Sequence, residues 1–161
     1  MQIINTQINS NQELLNIILE HINNNLKEEV YRCQRYSVSL GIQLFKTKNN
    51  LLSNEELIKE ALRLTDKYYI FNFNEFNFLL VFYPHSNYLG CDKVSQKMFH
   101  FLSNKITDKL SSSFSILENA ELKQVINGIL SGIELVYELD GNHITHYSCE
   151  DKNGLALFNS Y

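Results

Sequence analysis

A chain of 161 residues, 44% hydrophobic and 12% aromatic, is long enough to bury one substantial core and is read as a single domain over 1–161. Its net charge of −4 and pI near 5.7 offer no basic field to a phosphate backbone, which excludes nucleic acid as the main partner. The longest apolar run, Phe78 to Tyr83, is too short to cross a bilayer, and Met1-Gln2-Ile3-Ile4-Asn5 lacks the charge and apolar stretch of a signal peptide, so a cytoplasmic protein without membrane insertion is expected.

Residues 1–9 are polar and asparagine-rich, and predict a short lead-in. Ser10 then stands as an N-cap with Glu13 three residues on, the spacing of a capping box. Leu14, Leu15, Ile18, Leu19, Ile22, Leu26, Val30 and Cys33 recur every three or four residues, predicting an amphipathic helix to about Tyr36. Asn23-Asn24-Asn25 is its weak point, because asparagine competes for backbone hydrogen bonds. Val38, Leu40, Ile42 and Leu44 alternate with polar or small residues, which predicts a first strand to about Phe45. After a polar loop, Ser53 or Asn54 opens a second helix. Leu57, Ile58, Ala61 and Leu62 form its buried face, and it ends near Thr65-Asp66.

Lys67 to Tyr83 is the centre of the chain. Two runs of aromatic and branched residues flank an Asn74-Glu75-Phe76-Asn77 turn, with Lys67 and Glu75 the only charges, so this stretch predicts a buried β-hairpin whose two faces are covered by helices. Pro84 closes it. A third helix is expected from about Tyr88 to Lys105, a serine-rich strand from Ser111 to Leu117, and a helix from about Ala120 to Leu130. Ile133, Leu135, Tyr137 and Leu139 then alternate up to Asp140-Gly141, which predicts a C-terminal β-hairpin returning over Asn142 to Tyr147. The element order is that of an α+β domain with a split βαββαβ sheet and helices packed on it.

Cys33, Cys91 and Cys149 are far apart and odd in number, which argues against disulfides or a zinc site. His143 and His146 stand three apart with no third ligand nearby, so no metal site and no cofactor are expected.

Particular residues within this order resemble the GGDEF, or diguanylate cyclase-like, family. Tyr31-Arg32-Cys33-Gln34-Arg35-Tyr36 and Ser39 to Leu44 are similar to that family's opening helix and first strand. Asn72-Phe73-Asn74-Glu75-Phe76 stands where the Gly-Gly-Asp-Glu-Phe signature would be, and Tyr83-Pro84-His85-Ser86 resembles its Leu-Pro-x-Thr. The likeness covers residues 25–106, and the family would place much of its last helix where the C-terminal hairpin is predicted here.

The resemblance implies a nucleotide-cyclase-like fold from a bacterial signalling system, but a degenerate one. Making cyclic di-GMP needs acidic oxygens that hold Mg²⁺ against GTP. Lys46 and Lys48 stand where the family's first-strand aspartates would be, and lysine has no lone pair to offer. Asn72 and Phe73 replace the glycines that let the backbone approach the nucleotide, and Asn74 replaces one acid, leaving Glu75. No catalytic residue is therefore assigned and no enzyme activity is expected.

One family feature is kept. Arg63-Leu64-Thr65-Asp66 is an Arg-x-x-Asp nine residues before Asn72, the spacing at which many family members bind cyclic di-GMP as an inhibitor. The resemblance implies Arg63 gripping phosphate or guanine, Asp66 accepting guanine N–H groups, and Lys97 standing about where a second arginine would be. The expectation is a pseudoenzyme that acts as a cyclic di-GMP receptor and passes the signal to an unidentified protein partner or a second copy of itself. The alternative is an interaction module, a scaffold or adaptor that binds no nucleotide.

Overall fold

The computed structural model describes residues 2–85, 87–145, 149–150 and 156–157. It has a five-stranded sheet between two pairs of helices. In chain order these are α1 (Gln2–Tyr36), β1 (Ser39–Thr47), a 3₁₀ turn (Leu52–Asn54), α2 (Glu55–Ala61), β2 (Lys67–Phe73), β3 (Phe76–His85), α3 (Tyr88–Lys105), β4 (Ser111–Leu117), α4 (Leu122–Glu138) and β5 (His143–Thr145). A separate antiparallel pair joins β6 (Cys149–Glu150) to β7 (Ala156–Leu157). The sheet order is β2-β3-β1-β4-β5, so β1 lies at the centre, antiparallel to both β3 and β4.

Alternation along the strands sorts the core into two. Leu40, Ile42 and Leu44 of β1 join Phe78, Leu80 and Phe82 of β3 beneath α1 and α4. Phe45, Leu79, Val81, Tyr83 and Phe114 face the opposite way, beneath α2 and α3. Each fully buried side chain of this size contributes about 1.5–3 kcal/mol relative to exposure, which is why a hairpin with almost no charges needs a cover on both faces. Gly41 marks the closest approach on the second face. A Cβ there would lie 2.4 Å from the Cys91 sulfur and 2.8 Å from the Phe114 ring.

The structure corrects the expected N-terminus. No lead-in precedes the first helix over 1–9: α1 already runs from Gln2, and Ser10 sits inside it instead of capping it. Side-chain bonds one turn apart, Gln7 to Asn11 at 2.7 Å and Gln12 to Asn16 at 3.2 Å, support a stretch whose composition suggested a loop. The helix also passes unbroken through Asn23-Asn24-Asn25, whose side chains all face solvent. Helix α2 is shorter than expected, ending at Ala61, and Asn54 at its N-cap makes no capping bond, its Nδ2 donating instead to the Asn50 carbonyl at 2.9 Å. Strand β3 runs one residue past Pro84. The ring nitrogen of Pro84 falls on the side beyond the end of β2, where no neighbouring strand needs a donor.

The larger correction is at the C-terminal end. Ile133 to Leu139 is not the first arm of a hairpin. As far as Glu138 it continues α4, which Leu139 ends as an extended C-cap, with Val125, Ile129, Ile133 and Val136 buried at four-, four- and three-residue spacing. The period-two pattern of Ile133, Leu135 and Tyr137 is a helix apolar on more than one face. Gly132 lets α4 come down on the sheet: a Cβ there would lie 3.0 Å from the Ser113 hydroxyl, which donates to the Gly132 carbonyl at 3.2 Å. Ser113 and Ser115 of β4 are buried for the same reason, small enough to admit Gly132 and Gly128 of the helix. Past Asp140-Gly141 the chain returns parallel to β4, pairing His143 with Ser112 and Thr145 with Phe114. The expected return strand to Tyr147 lies outside the described residues beyond Thr145.

A buried polar chain fixes β5. The Tyr83 hydroxyl donates to Gln43 Oε1, and Gln43 Nε2 donates to Ser112 Oγ at 2.8 Å and to the Ser95 carbonyl at 3.1 Å. Ser112 Oγ meets His143 Nδ1 at 3.0 Å, and His143 Nε2 meets Thr145 Oγ1 at 3.1 Å, which donates to Asp92 Oδ1 at 3.3 Å. Burial pushes His143 down from 6.5 to about 4, with Asp92 opposing and His100 assisting.

Two outcomes follow from this packing. Gly41→Ala lowers stability by about 1–3 kcal/mol through overpacking, measured by urea unfolding. Because His143 folds as a neutral ring, its contribution is complete above its unfolded value and is lost as pH falls toward about 4. Between pH 7 and pH 5 this amounts to about 2 kcal/mol, and His143→Gln flattens that part of the stability profile.

Candidate functional site

Two places on the fold concentrate polar chemistry, at opposite ends of the β1–β3 ladder. The first is where β1 emerges from the core. The alternation that sends Leu40, Ile42 and Leu44 under α1 and α4 sends Lys46 the same way, but past the last turn of apolar cover. Its ammonium lies 4.1 Å from the Phe76 ring centroid and 5.1 Å from that of Tyr137, a pair of cation–π contacts. Burial, then the neighbouring Lys48, hold the Lys46 ammonium below the usual lysine range. Lys48 stands 5.7 Å from the same Phe76 ring and 3.9 Å from Glu75 Oε2.

The β2–β3 turn is two residues, Asn74 and Glu75, with Asn74 at a φ of +55°. Asparagine tolerates this left-handed conformation better than most residues. Of the five signature-like residues, Asn72, Asn74 and Glu75 are exposed. Phe73 turns into the core that α1 covers, and Phe76 is the aromatic residue that faces the cleft. The cleft encloses about 440 Å³ between the end of β1, the start of β4 and the end of α4. Lys109 and Asp140 line it and pair at 2.7 Å, and Asp108 lies beside them.

The second place is the turn after α2. The Asp66 amide donates to the Arg63 carbonyl at 3.0 Å and closes the turn. The Asp66 carboxylate accepts from the Arg63 amide at 2.8 Å, from Nη2 at 2.8 Å and from Nε at 3.2 Å. Arg63 Nη2 also donates to the Pro84 carbonyl at 3.1 Å. The Asp66 side chain is 0% exposed and that of Arg63 38%. The motif is thus a closed clamp: Asp66 spends its oxygens on Arg63 and shows none to solvent. Lys97 is exposed on α3, outside this hydrogen-bonded cluster.

Sequence reasoning placed Arg63, Asp66, Lys97 and the hairpin turn, but missed Tyr137, Lys109 and Asp140 because it assigned the end of α4 to a strand. Tyr137 was detectable as part of the helical period from Leu122. The Gln43 chain was also missed; its one signal was a glutamine at an inward position of a central strand.

The two described thiols have no evident chemistry. Cys33 and Cys91 are free and buried, and burial pushes them up to about 11 and about 12. Cys149 and His146, singled out above, carry side chains outside the described residues, as does Ser86. Among the described residues no three His, Cys, Asp or Glu side chains converge as a metal ion would require, and no helix is long and apolar enough to cross a membrane.

The chain matches no protein-family model and no curated protein sequence. Its fold is similar to a solved structure from Pseudomonas aeruginosa PAO1, an N-terminally shortened mutant of PA1120 (TpbB or YfiN) comprising only the GGDEF domain. The two share 8% sequence identity, with a TM-score of 0.52 over 78% of this chain and 87% of that one. The chain therefore has a GGDEF-like fold.

Proposed function

We propose that this chain is a non-catalytic GGDEF-like signalling domain that binds cyclic di-GMP at Arg63 and relays the bound state to another protein. The observation that carries the non-catalytic part is the pairing at the end of β1, with Lys46 over Phe76 and Lys48 facing Glu75. Phosphoryl transfer from GTP needs oxygen ligands for Mg²⁺ there, and two ammonium groups repel the ion and cannot ligate it. Glu75 faces a lysine where a second carboxylate would be needed.

Support for the ligand comes from the clamp. Asp66 and Pro84 hold the Arg63 guanidinium through Nε and Nη2, leaving the Nη1 edge outside these bonds. A planar fork already fixed in place loses little entropy when it grips a phosphate or a guanine edge. With its side chain fully buried, Asp66 acts as the buttress of Arg63, a revision of the direct contact that the resemblance implies. Lys97 adds a flexible point charge from α3.

The alternative, an interaction module that binds no nucleotide, is favoured by one observation. Tyr31 and Tyr36 at the end of α1 are 62% and 65% exposed, large apolar surface of the kind partners cover.

Isothermal titration with cyclic di-GMP tests the ligand. The wild type is expected to bind in the micromolar range or tighter. Arg63→Lys, which keeps the charge and loses the fork, weakens binding tenfold or more, about 1.4 kcal/mol, with its thermal melt as the control for folding. No wild-type binding, or binding indifferent to Arg63→Lys, contradicts the receptor reading and leaves the interaction module.

A further inference from the structure

We propose that the cleft at the end of β1 binds a small phosphate-bearing ligand directly on lysine, with no divalent cation between protein and anion. The inference rests on the non-catalytic reading of the same cleft and adds the class of ligand it would take.

Lys46 is the centre of the cleft's chemistry. Its half-buried ammonium carries three N–H donors, yet among the described residues it makes no hydrogen bond and no ion pair. It is held only by the faces of Phe76 and Tyr137. A partly desolvated cation without an acceptor is an unfinished interaction, and an anion entering the cleft completes it. Burial, then Lys48, lower the proton affinity of the Lys46 ammonium against the opposing pull of Asp140 and Glu75, and a bound anion favours the charged form.

Two further lysines line the cleft with partners they can exchange. Lys48 and Glu75 are 60% and 70% exposed and 3.9 Å apart, and Lys109 and Asp140 are 72% and 80% exposed. Solvated pairs of this kind are weak, so their cations can turn to a ligand. A space of about 440 Å³ lies within the range of small-molecule sites, and Phe76 supplies an apolar wall. The carboxylates of Asp108 and Asp140 border the same cleft and oppose an anion on their side, so the phosphate sits toward Lys46 and Lys48.

This place is separate from Arg63. Arg63 bonds the carbonyl of Pro84, which pairs with Leu40, whereas the cleft begins at Lys46, paired with Phe78. Six residues of strand, about 20 Å, lie between.

The test is calorimetric titration of the full chain with inorganic pyrophosphate, first in EDTA and then in Mg²⁺. Binding is expected in EDTA. It weakens tenfold or more in Lys46→Met, which keeps the apolar stem over Phe76, and strengthens in Asp108→Asn; unchanged melting temperatures show that both variants fold. Saturating cyclic di-GMP leaves the pyrophosphate affinity unchanged. No binding in either buffer overturns the anion site and leaves the non-catalytic reading intact. Binding that appears only with Mg²⁺ overturns both, and equal affinity in Lys46→Met overturns the placement of the anion on Lys46.

Discussion

The structure depends on the sealing of β1. This strand pairs on one edge with β3 over its whole length and on the other with β4, and its two faces are covered by different pairs of helices. A strand enclosed on four sides can carry polar groups only where they are matched, and Gln43 is matched by Tyr83, Ser95 and Ser112. Such a strand leaves the core abruptly. Where the cover of α4 ends, the next inward position is Lys46, followed two residues on by Lys48, so the chemistry of the cleft is set by the last positions of the best-packed element.

Most of the sheet was legible because its signals are local. The amphipathic period of α1, the alternation of β1, the charge-poor hairpin and the limits of α3 and β4 all follow from periodicity that tertiary packing reinforces. The C-terminal third was not. Six residues of α4, Ile133 to Glu138, satisfy both a strand and a helix pattern, and what decides is the close approach of Gly132 to Ser113. That is decided by the facing strand, which a local window does not contain. The N-terminal turns of α1 illustrate the converse: asparagine and glutamine can hold a helix when each finds a partner one turn away.

The candidate sites divide in the same manner. Arg63 and Asp66 were found by spacing, but their roles were separated only by burial, since one is 38% and the other 0% exposed at the side chain. In the cleft, Lys46, Lys48 and Glu75 were placed by their position along the hairpin and first strand. Tyr137 and Asp140 arrive through the end of α4, and Lys109 through its approach to Asp140, which only the fold brings together. The two ends of the sheet are thus built on different physics: a rigid arginine clamp at one, and at the other lysines whose counter-charges are solvated.

Central to the proposed function is that the end of β1 carries cations, Lys46 and Lys48, and holds no divalent metal ion. The most direct measurement is titration of the protein with Mn²⁺ followed by electron paramagnetic resonance of the free ion. The account predicts that the free-ion signal rises in proportion to added Mn²⁺, with no saturable site. A stoichiometric site that disappears in Glu75→Gln would contradict it, placing a metal-binding carboxylate where the structure sets Glu75 against Lys48.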